Sequence, residues 1–593
     1  MPSRELQFAI GEIPFSTRGS WLNVSPVIAP HTTAEDLHLV SHQGGMHPVL
    51  SLVPCGADGR PVAAGVRATP SHLRWSHGPG RIRLLFETPD TLRIRGEGLG
   101  LRLTDASPTA DFRGAHAFTG PVDGAPVFAS TETGRRYRVT VLGGRLTAEE
   151  PAADGRVTLL ASGGDGDGDG DGDGDGDGDG DGEWELAIEE FGTARAPFRS
   201  GAAFDPVERR VAEEFRAYAD ALAPWRGEAP GGAELAAYVL WSATVRQGGF
   251  VTRESVLMSK HWMDRVWSWD HCFNALALAP GLPGAALDQF HMVFDHQDES
   301  GALPDLVGHS AVSYAFVKPP VHGWAFARLR ELLPGLSREE LRAAYQRLAR
   351  LTEFWLTHRR APGHRLPHYE HGNDSGWDNS TVFARQELVE SPDLAALLVC
   401  QLGTLADLAA ELGDPRAAAA WRASGDELLG ALVEELWDGE RFLAVGATDG
   451  LSHPHASLLP LIALVIGDRF APEISAGLAD AVQAHLTPFG LATELPGSPA
   501  YEADGYWRGP VWGPPTVLIE DGLRRCGATG LADLVSLRFR RLCERSGFAE
   551  NFDALTGRGL RDRAYTWTAA CYLILARQAA AREAAGPAGA GDR

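Results

Sequence analysis

"DPVERRVAEEFRAYADALA", Asp205 to Ala223, is where the chain changes its period. Val207, Val211, Phe215, Tyr218 and Leu222 recur at three- and four-residue steps, the spacing of one face of an α-helix. Pro206 suits a first helical turn, and Asp205 is the expected N-cap. Amphipathic segments of the same kind follow around 233–246, 270–279, 283–296, 321–333, 337–357, 391–411, 415–436, 456–466, 472–485, 513–525, 530–545 and 564–582. Twelve or thirteen helices are therefore expected between residues 204 and 585, followed by a disordered tail at 586–593. A superhelical solenoid would repeat every ~34–47 residues, and no such repeat is visible. Paired helices closed into a toroid fit better, with chemically rich loops gathered on one side.

Upstream the pattern is different. "RIRLLFETP", "TLRIRGEGLGLRLTDA", "RRYRVTVLGGRLTAEE" and "GRVTLLAS" are short, alternating or β-branched, and bounded by Gly, Pro and Asp. Residues 1–203 read as an antiparallel β-sandwich-like domain. Nine Asp-Gly pairs, Asp165 to Gly182, interrupt it. Calcium-binding β-roll repeats need an apolar residue in each repeat, and this run has none. With strand-like flanks on both sides, it reads as a disordered hairpin loop.

With 593 residues the chain exceeds one ordinary core. Its 44% hydrophobic and 22% charged residues are those of a globular protein. A formal net charge of −24 argues against nucleic acid or an anionic membrane as partner. No basic-then-apolar leader opens the sequence, and no apolar run approaches the ~18 residues of a membrane span. The six cysteines are scattered without CxxC spacing, so no metal site, cofactor or disulfide framework is expected. The reading is of a soluble cytoplasmic protein with reduced thiols.

Chemistry concentrates in the loops of the helical half. "YEHGNDSGWDNSTVF" (369–383) is too rich in Gly and Asn for a helix and lacks the alternation of a strand. It places Asp378 beside Trp377. "VWSWDHCF" brings Trp267, Trp269 and Asp270; "YWRGPVWGPP" brings Tyr506, Trp507, Arg508 and Trp512; "FAENFDALTGRG" brings Glu550. Each alone has a bland reading, as a core tryptophan, a turn-forming aspartate or a helix-end glutamate. Together they suit a sugar, whose apolar C–H faces stack on aromatic rings while its hydroxyls meet carboxylates and Arg. Hydrolysis of a glycosidic bond needs one protonated carboxyl and one carboxylate, and Asp378 and Glu550 are the candidates.

In order, "VWSWDHCFNALAL", "KPPVHGWA", "SGWDNS", "YWRGPVWGP" and "ENFDALTGRG" resemble glycoside hydrolase family 63 over roughly residues 248–575. The resemblance implies an (α/α)6 barrel that hydrolyses α-glycosides with inversion, most simply an exo-acting α-glucosidase on a short oligosaccharide or small glucoside. A trehalase-like or debranching enzyme on the same barrel and a non-catalytic sugar-binding protein are the alternatives. It further implies Asp378 as general acid, Glu550 as general base, and Trp267, Trp269, Asp270, Trp377, Tyr506, Trp507, Arg508, Gly509 and Trp512 around the sugar. As the base, Glu550 is expected to be the better solvated or better hydrogen-bonded carboxyl. Lys318 stands where the family often has Gln, and a cation there is a candidate for binding an anionic leaving group or sugar carboxylate, or simply replaces one donor by another.

Overall fold

The computed structural model describes residues 5–107, 115–149, 156–163, 182–227 and 231–585. The Asp-Gly run, save Gly182, and the tail at 586–593 lie outside the described residues. The N-terminal part is two antiparallel sheets. One has six strands in the spatial order Leu22–Ala29, Thr32–Ser41, His47–Cys55, Gly100–Asp105, Thr158–Ser162, Arg145–Ala148; the other has eight. Leu39, Leu50 and Leu101 from the first and Ile82, Leu92 and Tyr137 from the second share one core, so the sheets bury their apolar faces against each other.

Thr158–Ser162 and Glu183–Phe191, which flank the Asp-Gly run, belong to different sheets. The run is therefore an inter-sheet connection and not the loop of a hairpin. Its two ends nevertheless meet: a Cβ on Gly163 would lie 2.4 Å from the Gly182 Cα.

Twelve α-helices follow among the described residues: α1 (Phe204–Leu222), α2 (Gly232–Ala243), α3 (Asp270–Leu278), α4 (Pro283–Met292), α5 (His322–Leu332), α6 (Arg338–His358), α7 (Pro392–Glu411), α8 (Pro415–Leu436), α9 (Pro472–His485), α10 (Gly513–Arg525), α11 (Thr529–Ser546) and α12 (Thr566–Ala585). The segment expected as a helix at 456–466 is a 3₁₀ element, Leu459–Arg469, broken at Ile466. Asp205 lies inside the first turn of α1 and caps nothing; Ala203 is the N-cap, and Asp205 pairs with Arg83 of the β-domain at 2.8 Å. Helix α1 joins the two parts. Phe204, Val207 and Val211 pack on Leu85 of a strand, while Phe215, Tyr218 and Leu222 enter the helical core.

Packing runs from α3 to α5, α5 to α7, α7 to the 3₁₀ element, on to α10, then α12, and from α12 back to α3. The remaining helices lie outside this succession, α4 on α3, α6 and α8 on α7, α9 on the 3₁₀ element, α11 on α10, α2 on α12 and α1 on α2. Helix α7 is long and apolar enough to cross a membrane, yet its apolar residues are buried in the core of this domain.

The two parts are pinned by buried polar contacts. Lys260, 1% exposed, donates from Nζ to Ser16 Oγ (3.0 Å), the Ser20 carbonyl (2.6 Å) and the Ser242 carbonyl (2.7 Å). His42 and Asp264 meet at 3.1 Å, and Asn23 Nδ2 donates to the Lys260 carbonyl at 2.6 Å. Nearby, Glu190 is buried and accepts from Gln43 Nε2 at 2.6 Å and the Tyr137 hydroxyl at 3.2 Å. Burial pushes its carboxyl up to about 7, against the pull of Arg135.

Two outcomes follow from these contacts. Deleting residues 165–181, with a short Gly/Ser link between the adjoining ends, should leave melting temperature and activity unchanged within error. Glu190 holds its proton more tightly folded than unfolded, so its stabilising contribution is full below pH ~4.5 and is lost as pH rises through about 7. Between pH 5 and 8 the wild-type melting temperature should fall, and Glu190→Gln should flatten that fall, removing about 3 kcal/mol of pH dependence in denaturant titrations.

Candidate active site

Every segment singled out for its chemistry directly precedes one of the inner helices. Trp267 and Trp269 lead into α3, whose first residue is Asp270; Lys318 leads into α5; Asp378 lies in the loop before α7; Tyr506 to Trp512 precede α10; Glu550 and Arg561 precede α12. One end of the helical domain thus collects them, where the first N–H groups of the helices have no intrahelical acceptor.

The carboxyls form two groups. On one side lie Asp270, Asp305 and Asp378 around Lys318. Lys318 Nζ is 3.2 Å from Asp305 Oδ1 and donates to the Asn373 carbonyl at 2.7 Å. Asp270 is fully surrounded, and burial pushes its carboxyl far up, with Lys318 pulling it down and Asp305 and Asp378 adding to the rise. Asp378 is half-buried; burial raises it, Lys318 and His371 oppose, and Asp305 reinforces. On the other side Glu550 is 4% exposed. Burial pushes it up to about 8, the Asp562 carboxylate adds to this, and Arg561 and the Tyr506 hydroxyl oppose it. Asp562 holds Glu550 in place by accepting its backbone N–H at 2.7 Å. Burial raises the Asp562 carboxyl, but His261 at 3.1 Å and Ser259 at 2.5 Å bring it below the usual range.

Tyr506 joins the two sides. It has φ +63°, a left-handed conformation unusual for an aromatic residue, and Glu550, Asp378 and Asp270 all act on its hydroxyl. Arg561, also at positive φ, lies 4.9 Å from the Tyr506 ring centroid and 2.7 Å from Asp504.

The tryptophans depart from expectation. Trp269, Trp377, Trp507 and Trp512 are only 1–3% exposed and contact one another. Trp507 stacks on Trp512 at 4.0 Å and on Trp377 at 4.7 Å, and Trp567 meets Trp269, Trp507 and Trp512 edge-on. They form the wall behind the carboxyls and do not offer broad open platforms; Trp267 and Tyr506 are the more exposed members. Gly509 is required by its backbone, at φ +144° with a Cβ that would fall 2.4 Å from the Glu502 carbonyl. Arg508 crosses to the Asp378 loop, donating from Nε to the Asn379 carbonyl at 2.7 Å.

Glu550 is the more buried of the two candidate carboxyls, because Tyr506, Tyr565 and Asp562 enclose it, and of the two alternatives expected for the base it is the hydrogen bond, from Tyr506, that it has. Lys318 is 8% exposed, paired with Asp305 and donating to the Asn373 carbonyl, so it serves as a donor inside the site. Asp305, Asp562, Arg561 and Tyr565 belong to the site without any signal in the sequence. A further grouping, His271, Cys272 and His322, lies behind Asp270 with ligand atoms within 4.8 Å of one another, all buried. His271 Nδ1 is held by the Trp267 carbonyl at 3.1 Å, and the two histidine rings pack α3 against α5.

A carboxyl kept protonated by its surroundings, facing a second carboxyl, is the means by which glycoside hydrolases move protons across a glycosidic bond. Comparison with known proteins agrees on the class. Residues 263–568 match the family described as the mannosylglycerate hydrolase MGH1-like glycoside hydrolase domain, and the chain belongs to that family. A mannosylglycerate hydrolase from Rubrobacter radiotolerans is 28% identical over 402 residues, covering 52% of this chain and 89% of the relative. Among solved structures, the family 63 mannosylglycerate hydrolase from Thermus thermophilus in complex with Tris aligns with 99% of its length and 58% of this chain, at TM-score 0.51 and 24% identity. A bacterial glucoamylase complexed with acarbose aligns over 98% of this chain and 96% of its own, at TM-score 0.61 and 12% identity. These two structures carry the fold: the first matches over somewhat more than half the chain, the second over its whole length.

The Lys318–Asp305 pair has a measurable signature. Lys318→Met leaves Asp305 buried without its counter-charge and should destabilise the protein by about 3–5 kcal/mol. Lys318→Met combined with Asp305→Leu should recover much of that loss. Additive losses in this double-mutant cycle would mean that the two side chains are not energetically coupled.

Proposed function

We propose that this glycoside hydrolase is an exo-acting, inverting α-glycosidase that removes one sugar from a small α-glycoside. The observation that carries the reading is the convergence of Asp378 and Glu550 on Tyr506 from separate loops. The closed succession of inner helices supports an (α/α)6 barrel, with the site at one end of it. Asp378, on the half-buried side, protonates the leaving oxygen. Glu550, held by Tyr506 and Arg561, takes the proton of the attacking water. Enclosure serves both roles, since it keeps Asp378 protonated and makes Glu550 a stronger base once ionised. Relatives named for mannosylglycerate support α-mannosides as candidate substrates beside the α-glucosides that the sequence resemblance favours.

Glu550 works only when ionised, so kcat/KM is lost as pH falls below its raised pKa. The pH profile should be a bell with one limb near pH 8, where the enclosed Glu550 carboxyl titrates, and the two limbs belong to the coupled Asp378–Glu550 pair. Glu550→Gln should abolish the ascending limb. Asp378→Asn and Glu550→Gln should each reduce kcat by about 10²–10⁴-fold on natural glycosides while remaining folded. An α-glycosyl fluoride, whose leaving group needs no proton, should be hydrolysed by Asp378→Asn and not by Glu550→Gln; the reverse result would exchange the roles. Proton NMR should show the β-anomer released first, and initial release of the α-anomer would rule out inversion.

A further inference from the structure

We infer that His271, Cys272 and His322 form a structural site for a zinc ion, behind the carboxyls, where the first turns of α3 and α5 meet.

The three side chains are 0–1% exposed, and their ligand atoms lie within 4.8 Å of one another. Cys272 Sγ is 3.6 Å from His271 Nε2. Two ligands of a tetrahedral zinc, at ~2.0–2.1 Å for nitrogen and ~2.3 Å for sulfur, stand roughly 3.3–3.7 Å apart. A weak S–H···N hydrogen bond would account for the same distance, and it would leave His322 unanswered. Neither nitrogen of the His322 ring has a hydrogen-bond partner, although the Ser268 carbonyl acts on the ring. Imidazole carries a donor and an acceptor, and burying both without partners is costly. An ion shared with Cys272 and His271 takes up one of those nitrogens.

His271 is already oriented for this. Its Nδ1 is held by the Trp267 carbonyl at 3.1 Å, which fixes the ring with Nε2 toward Cys272. A backbone carbonyl on the far nitrogen is the usual support of a metal-binding histidine. The Phe290 carbonyl also acts on this ring. Phe290 and Phe294 pack against the two imidazoles and help to keep water out.

The ligand types select the ion. A thiolate with two imidazoles favours zinc over magnesium or calcium, which take oxygen ligands. As the sulfur–zinc bond forms, the Cys272 S–H proton leaves to solvent. His271 and Cys272 follow Asp270 directly on α3, and His322 opens α5 just after Lys318. One ion would therefore tie together the two helix starts that carry Asp270 and Lys318. The ligands come from segments far apart in the chain, so no local spacing in the sequence announces them. Being enclosed, the ion enters as the chain folds.

The experiment measures metal on the full chain. Protein made with zinc in the medium, purified without a metal-affinity step and dialysed against EDTA should hold about one zinc per chain by elemental analysis. Denatured, stripped and refolded with zinc, it should melt several degrees higher than when refolded with EDTA. Refolded with cobalt, it should show thiolate-to-cobalt charge-transfer absorption, and Cys272→Ala should lose that band. X-ray absorption on the zinc protein, which needs no variant, should find one sulfur at ~2.3 Å and two imidazole nitrogens at ~2.0–2.1 Å. Metal-free protein that refolds equally well with zinc and with EDTA overturns the proposal. So does a bound ion without a sulfur neighbour, or a cobalt–thiolate band that survives in folded Cys272→Ala.

Discussion

The constraint on which the rest of the structure depends is the removal of four carboxyls, those of Asp270, Asp305, Asp378 and Glu550, from water at one end of the helical domain. An unpaired charge in such a place is strongly disfavoured, so the carboxyls are pushed toward their neutral forms. Lys318 is the only buried ammonium among them, and it sits where its charge acts on three of the four. A glutamine at that position would supply a donor without a charge, and Asp305 would then lack its counter-ion. Lys318 and Asp305 therefore have to be understood together, as one device that keeps Asp270 and Asp378 within a useful range.

Close approach of the loops enforces this enclosure. Gly376, at φ +73°, lies so near Trp269 that a Cβ would come within 2.5 Å of the indole. That contact places Trp377 on Trp507 and leaves Asp378 at the edge of the stack. Asn379 then locks the loop onto the facing segment, accepting the Trp507 N–H at 2.9 Å and donating to the Gly505 carbonyl at 3.0 Å. The tryptophans act chiefly through exclusion of water, and the carboxyl shifts are its consequence.

Helix positions are legible in the sequence because their signal is local: apolar residues at helical spacing, with proline at the first turns of α4, α7, α8, α9 and α10. The strands are legible for the same reason. Partners set by tertiary contact are not. Asp305 sits in "ALPDLVG", where nothing local distinguishes it from a turn aspartate, and only folding brings it to Lys318. Asp562 likewise reads as one charge in "RDRAY" until His261, on a distant loop, is seen against it. The enclosure of Glu550 is hidden for the same reason: Tyr506 comes from one segment and Asp562 and Tyr565 from another. The Asp-Gly run reads as a hairpin loop because both flanks are strands, and sequence does not say to which sheet a strand belongs.

The β-domain reaches the catalytic end through a continuous chain of buried contacts. Asn23 and His42, on its first two strands and their continuation, hold the Lys260 carbonyl and the Asp264 carboxylate. Lys260 and Asp264 bracket His261, which is also fixed by its N–H donating to Ser259 Oγ at 2.9 Å. His261 then meets Asp562, and the Asp562 carbonyl accepts the N–H of Glu550. Each link is a hydrogen bond between groups 8% exposed or less, where geometry is fixed by the cost of leaving any partner unsatisfied. Removal of the β-domain would uncover the Lys260 side chain and free the loop that carries His261. The position of Glu550 is thus tied to a domain that contributes no carboxyl to the site.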